Sequence, residues 1–426
     1  MPVNVGLSLG AVALVSATGF VASQWYKRRK AQRTARKEAL LHPQQPVDPE
    51  RGRPRPWIIL NPSKIDDVAA LRERVNTCAA KMGVPHVHWR YTTVEDPGTG
   101  QAIQAIADGA SVVIAAGGDG TVRAVAAAMA GSGVRMGIMP VGTGNLMARN
   151  LGIPLGDVER ALSIALGEGH RAVDLGWLRV DEVNGECEIP AEGTLIARAL
   201  STLDTHRQPR RAGEYPTGDE YSFLVVAGIG FDGQTMADTD PELKKMIGWP
   251  AYVIAGLGAT TVARMHSYLT LLKPRPTQEH EAVVGLIEGH TIEGNGDAAG
   301  GNDDAESTSI TARSVLFANC GELPLVTLAP EATVDDGLMD VVAVDTQAGM
   351  VGWADLAGKI FAQGLGIRPL LDVPSVGQIA FRQARGASLR VDEAQVVQVD
   401  GDAIASARVV EARIESAALD IAVPTL

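Results

Sequence analysis

Gly117-Gly118-Asp119-Gly120-Thr121 stands between an apolar run, Val112 to Ala116, and a helix-like run that opens with Thr121 and Val122. Glycines at a strand-to-helix junction let backbone N–H groups approach phosphate oxygens with no Cβ in the way, and the helix N-terminus adds partial positive charge. The stretch reads as a phosphate-binding turn. A second glycine turn, Pro140-Val141-Gly142-Thr143-Gly144-Asn145, follows the next apolar segment. Two such loops at the carboxyl ends of neighbouring strands lie where open α/β sheets bind ligands, so the pair points to a nucleotide. Neither loop has the G-x-x-x-x-G-K-[S/T] or G-x-G-x-x-G spacing. Two acidic turns come late, Asp335-Asp336-Gly337-Leu338 and Asp400-Gly401-Asp402. The first offers hard oxygens suited to Mg²⁺, with a plain Asp-Gly hairpin turn as the alternative. For Asp119 the alternative is a turn aspartate bonded to its own backbone.

The elements that must position these loops follow from hydrophobic spacing. Trp57 to Leu60 is a short buried strand, and Ile65, Val68, Ala69, Val75, Cys78, Ala79 and Met82 recur at helical intervals. Strand 87–91, a helix around 101–107, strand 112–116, helix 122–129 and strand 135–139 continue the alternation. The reading is α/β, an N-terminal doubly wound parallel sheet. From about Ala172 short alternating segments (173–180, 221–228, 283–288, 314–318, 338–344) predict a largely antiparallel β domain. Segments 183–220 and 292–310, rich in Gly and polar residues, read as mobile insertions, and 246–263 as a packed helix with a kinked start.

At 426 residues the chain suggests two domains plus extras: 1–26, 27–55, 56–170 and 171–426. Residues 1–26 carry no charged side chain and as a helix would cover roughly 36 Å, enough for a hydrocarbon core. Seven basic residues follow, from Lys27 to Lys37, before the first acid, Glu38. This order predicts a transmembrane helix acting as a single-pass anchor in the cell membrane, with the catalytic body cytoplasmic. The basic stalk suits an anionic inner leaflet, and Pro-rich 38–55 reads as a linker. Setting those seven charges aside from a net −12 leaves −19 for the rest, which argues against nucleic acid as a partner. Cys78, Cys187 and Cys320 form no C-x-x-C, and the eight histidines show no metal-ligand spacing.

Four pieces, in order, resemble the diacylglycerol kinase catalytic-domain family of lipid kinases: Asn61-Pro62-Ser63, the Gly117 to Thr121 turn, Gly142-Thr143-Gly144-Asn145, and Asp335 to Asp340 with Asp400-Gly401-Asp402. The likeness runs from about Pro56 to the C-terminus. It implies a β-sandwich in the second domain, ATP and Mg²⁺ as cofactors, and a membrane lipid as substrate; a homodimer is left open. It implies that Gly117, Gly118, Asp119, Gly120, Thr121, Val122 and Arg123 hold the nucleotide phosphates, with Asp119 near the Mg²⁺-bound phosphates. Thr143, within Gly142–Asn145, contributes from the second loop, while Asn61 and Thr93 or its neighbour Thr92 complete the nucleotide site. A metal would be held by Asp336 with the carbonyls of Thr333 and Leu338.

By the same resemblance the general base falls at Asp402, where the family has glutamate, one methylene longer. Asp400 could share the task. Two more departures are Leu146, where many relatives have aspartate, and Arg123, where asparagine is common. The implied function is an ATP-dependent kinase for the hydroxyl of diacylglycerol or a similar neutral lipid, giving a phosphatidic-acid-type product. An NAD-kinase-like enzyme shares the first turn, and a decayed, tethered lipid-binding protein is the non-enzymatic alternative.

Overall fold

A strand covered on both faces needs apolar side chains at consecutive positions, not alternating ones. The computed structural model describes residues 54–230, 264–273, 305–323, 326–327, 332–346 and 377–425, and its first half meets that pattern. β1 (Pro56–Leu60) is buried at every position; after α1 (Val68–Lys81) come β2 (His88–Tyr91) and α2 (Thr99–Ala107). β3 (Val112–Gly117), again wholly buried, leads through α3 (Asp119–Met129) to β4 (Arg135–Pro140), α4 (Leu146–Asn150) and α5 (Val158–Ala165). β1 is parallel to β2 and β3, and β3 to β4. α1 packs on α5 while α2 packs on α3, the two helical groups a doubly wound sheet requires. The strand order β4-β3-β1-β2 places the switch point between the carboxyl ends of β1 and β3.

The second half comprises β5 (His170–Val183), α6 (Glu192–Ser201), β6 (Glu220–Phe223), β7 (Val226–Ile229), β8 (Met265–Leu272), β9 (Ala305–Ala312) and β10 (Ser314–Ala318). The short pair β11 (Glu322–Leu323) and β12 (Val326–Thr327) follows, then β13 (Met339–Thr346), β14 (Gly377–Ala384), β15 (Gly386–Val399) and β16 (Asp402–Ala422). Pairings within this half are antiparallel, as expected. Hydrogen bonding does not set it apart as a free-standing sandwich, however. β16 pairs antiparallel with β15 and β5, and its Ile421 lies in parallel register with Met136 of β4. One 14-stranded mixed sheet therefore runs through both halves. The register break between Glu415 and Leu419 bends this 21-residue strand between its two sets of neighbours, and the continuity leaves no unpaired edge where the halves meet. Residues Arg53–Leu426 form one unit, with one apolar cluster under the parallel strands and another in the antiparallel half.

Three expectations change. Segment 183–220 is not only loop: it contains α6, whose Leu195 and Ile196 are buried and which packs on α2 and α3. Of 292–310, residues 305–310 belong to β9, and the rest lies outside the described residues. The membrane anchor with a cytoplasmic body is also corrected. Among the described residues no helix is long and apolar enough to cross a membrane, and no span enters the account below. Segments 1–26, 246–263 and 283–288 lie outside the described residues.

Candidate active site

Leu60 and Ala116 are in register, so the chain leaves β1 and β3 at one level. There the Asn61 N–H donates to the Ala116 carbonyl (2.9 Å), and Asn61 Nδ2 donates to Thr121 Oγ1 (3.4 Å). Asn61 Oδ1 accepts from the Ser63 N–H (3.1 Å) and Ser63 Oγ (2.7 Å), which fixes Asn-Pro-Ser as a tight turn against the first glycine loop. α3 starts behind Gly118 with no side-chain cap. Its leading N–H groups, at Gly120 and Thr121, have no intrahelical partner, and the positive end of the helix dipole lies there. Thr93 is turned onto its own loop, its hydroxyl accepting from the Asp96 N–H (3.1 Å), while buried Thr92 donates its N–H to the Leu60 carbonyl (3.0 Å).

The second loop is closed by Asn145, which sits in the left-handed region (φ 49°) that asparagine tolerates. Its Oδ1 accepts from the Gly142 N–H (3.1 Å) and its Nδ2 donates to the Gly142 carbonyl (2.7 Å). Thr143 is exposed at the tip. Arg149 Nε donates to the Gly144 carbonyl (2.9 Å), which sets an exposed guanidinium beside the loop. The two loops touch backbone to backbone, since a Cβ on Gly142 would collide with the Gly118 Cα. Gly142→Ala should therefore force the loops apart, with strain of about 1–3 kcal/mol. We expect its affinity for Mg-ATP by titration calorimetry to fall on the order of ten- to a hundredfold; wild-type affinity would show that the loop pair is not the nucleotide cradle.

Asp119 ties the two glycine loops together. Its Oδ1 accepts from the Leu146 N–H (2.6 Å) and its Oδ2 from the Asn145 N–H (3.0 Å), so both oxygens cap α4 and latch the second loop onto the first. Burial pushes its carboxyl above the ordinary aspartate range against the pull of those N–H groups, and the charge of Asp402 adds to the rise.

Asp400 and Gly401, at φ 46° and 91°, form the two-residue loop between Val399 and Asp402, the geometry of a type I′ hairpin. The buried Asp400 carboxylate accepts from the N–H groups of Leu224 (2.9 Å), Val225 (2.9 Å) and Val226 (3.0 Å). Burial pushes it up to about 6, against Arg123 and these three donors. Asp400 is thus a brace inside the fold, which corrects the expectation that it shares proton transfer. Asp402 differs: its side chain is 52% exposed, and Oδ2 lies 3.5 Å from where a Cβ on Gly120 would stand. The hairpin delivers this carboxylate to the first turn of α3.

Arg123, expected among the phosphate-binding residues, is buried and turned inward. Nε donates to Glu192 Oε1 (3.1 Å), and Nη1 donates to the Val399 carbonyl (2.9 Å) and lies 3.0 Å from Asp402 Oδ2. Burial works against its charge, but Glu192, Asp402 and Asp400 more than offset that and hold the guanidinium above its usual range.

The Thr333–Leu338 turn carries the proposed metal ligands. Asp336 Oδ1 accepts from the Leu338 N–H (3.0 Å), Asp336 and Thr333 are exposed, and Asp335 is forked with Arg171 at 2.9 and 3.0 Å. Among the described residues no group of three or more His, Cys, Asp or Glu side chains is arranged to hold a metal. A Mg²⁺ that keeps most of its waters needs only one or two carboxylates, so a turn with one exposed carboxylate and backbone carbonyls fits such an ion. Beneath it, the wholly buried Asp174 accepts from the N–H groups of Gly337 and Ala417 and so shapes the turn. Sequence reading missed Asp174, Arg149 and Glu192; the lone acid between Val173 and Leu175 in an apolar run was a usable signal for the first.

Comparison with known proteins gives the family and the fold. Residues 55–178 match the diacylglycerol kinase catalytic domain. A probable lipid kinase YegS-like of Pseudomonas aeruginosa is 30% identical over 292 residues, 68% of this chain and 72% of that protein. A protein of the same name from Xanthomonas oryzae pv. oryzae is 29% identical over 306 residues, 70% of this chain and 76% of its own. The crystal structure of a diacylglycerol kinase from Bacillus anthracis str. Sterne superposes with a TM-score of 0.53 at 16% identity, covering 87% of this chain and 97% of that one. Two touching glycine loops, in a chain with these relatives, identify the protein as a member of the diacylglycerol kinase catalytic-domain family of lipid kinases.

Proposed function

We propose that the protein transfers the γ-phosphoryl group of ATP to the hydroxyl of diacylglycerol or a related neutral membrane lipid, giving a phosphatidic-acid-type product and ADP. One observation carries the reading: Asp402, a half-exposed carboxylate, stands against the uncapped first turn of α3, beside the N–H groups that would bind phosphate. Phosphoryl transfer asks a protein mainly for positioning and charge stabilisation. The N–H groups of Gly120 and Thr121, with the Thr143 loop opposite, hold the polyphosphate, and Asn61 closes the side next to β1. The lipid hydroxyl oxygen forms a bond to the γ-phosphorus as the bond from that phosphorus to the β–γ bridging oxygen breaks. The hydroxyl proton passes to Asp402 and the electron pair leaves with ADP. Mg²⁺, when bound with ATP, would neutralise phosphate charge, and Asp336 with the Thr333 and Leu338 carbonyls would hold an ion at their own turn.

The test is transfer of labelled phosphate from Mg-ATP to lipid in detergent micelles, with diacylglycerol, sphingosine, ceramide and, in water, NAD as separate acceptors. Labelled phosphatidic acid is the expected product. Label on NAD, or on none of the four, would overturn the reading.

A further inference from the structure

A chain of contacts runs from buried Glu192 through buried Arg123 to half-exposed Asp402, the proposed base. Glu192 opens α6, in the segment between β5 and β6, and is 2% exposed. Its Oε1 accepts from Arg123 Nε at 3.1 Å while its Oε2 accepts from the Ser222 N–H, also at 3.1 Å, so the carboxylate is fixed at both oxygens. Arg123 is fixed in turn by the Val399 carbonyl at 2.9 Å, in the strand that leads into the hairpin, and its remaining contact is Asp402 Oδ2 at 3.0 Å. A planar guanidinium held at Nε by Glu192 and at Nη1 by the Val399 carbonyl has little freedom left, so that same Nη1 can set the place of a carboxylate that is otherwise half in solvent. Asp402 Oδ1 makes no hydrogen bond among the described residues and is the oxygen left to take a proton.

From this geometry we infer that Glu192, on the helix inserted between β5 and β6, is a positioning residue for phosphoryl transfer: through Arg123 it fixes the Asp402 carboxylate over the first turn of α3. The inference rests on Asp402 being the base. Without the Glu192 carboxylate, Arg123 Nε loses its partner and the guanidinium can turn away from Asp402 Oδ2.

The experiment is kcat and KM for ATP at saturating lipid for the whole chain. Glu192→Gln keeps the shape of the side chain but can no longer accept at both oxygens, so kcat is expected to fall about tenfold with KM for ATP unchanged. A wild-type kcat overturns the inference, and so does a loss that appears only in KM. Arg123→Lys, read by the same assay, decides the matter should Glu192→Gln fail to reach the native fold. An ammonium puts its donors on one atom where Arg123 spreads these contacts over Nε and Nη1, so kcat should fall about tenfold or more while KM for ATP holds. A rise in KM with kcat intact would make Arg123 a nucleotide ligand and overturn the inference too. The two proposals fail separately: full turnover in Asp402→Asn removes the base itself, whereas a kcat indifferent to Glu192 removes only the positioning chain.

Discussion

Replacing Arg123 with methionine should cost about 3–5 kcal/mol of stability, because it strands a buried charge. Glu192 would keep its hydrogen bond from the Ser222 N–H but lose the only cation beside it among the described residues, in a place that is 2% exposed. Exposed ion pairs, such as Arg74 with Glu159 at 57% and 53% exposure, are worth no more than about 1 kcal/mol, so the same deletion there would hardly register. The contrast lies in desolvation and not in distance, since both pairs measure 3.1 Å. Arg123→Met combined with Glu192→Gln should recover much of the loss, because the Glu192 charge stranded by the first change is gone. Urea unfolding of the two single variants and the double gives the coupling directly. Losses that simply add would mean that Glu192 and Arg123 do not depend on one another.

What the sequence made legible follows from how local each requirement is. The glycine loops could be read because phosphate binding and backbone contact both exclude a Cβ, and the collision that Gly142 avoids with Gly118 is the same constraint seen in three dimensions. β1 and β3 could be read because a strand buried on both faces must be apolar at each position. The return of β16 to β4 could not, because pairing Ile421 with Met136 is decided by sheet closure and leaves no local mark on the strand. The same holds for acids. Asp119 and Asp402 look alike in a motif, but one is consumed by N–H groups 26 and 27 residues further on and the other is left facing solvent. Asp400 follows hairpin chemistry, with φ of 46° and a carboxylate folded back onto Leu224–Val226, a partner 174 to 176 residues away. α6 was hidden by the polar and glycine-rich residues around it, although Leu195, Ile196, Ala199 and Leu200 do recur on one helical face.

Asp402→Asn should lower kcat by roughly 10²–10⁴-fold, the usual contribution of a positioned general base, and leave ATP affinity as it was. Asparagine keeps the volume of aspartate and an oxygen that can accept from Arg123 Nη1, so the hairpin and the Arg123 contacts persist while the capacity to take the hydroxyl proton is lost. Single-turnover transfer of label to diacylglycerol measures the chemical step, and calorimetry with Mg-ATP measures the cradle. Asp402→Glu restores a proton acceptor, displaced by about 1 Å, and should fall between the wild type and Asp402→Asn, since such a shift can cost on the order of 10²-fold. Of the neighbouring acids, Asp400 is buried under three N–H donors, while Asp119 is half-buried and accepts one N–H at each oxygen. Unchanged turnover in Asp402→Asn would therefore move the proton acceptor to Asp119 or to water, with catalysis resting mainly on phosphate positioning.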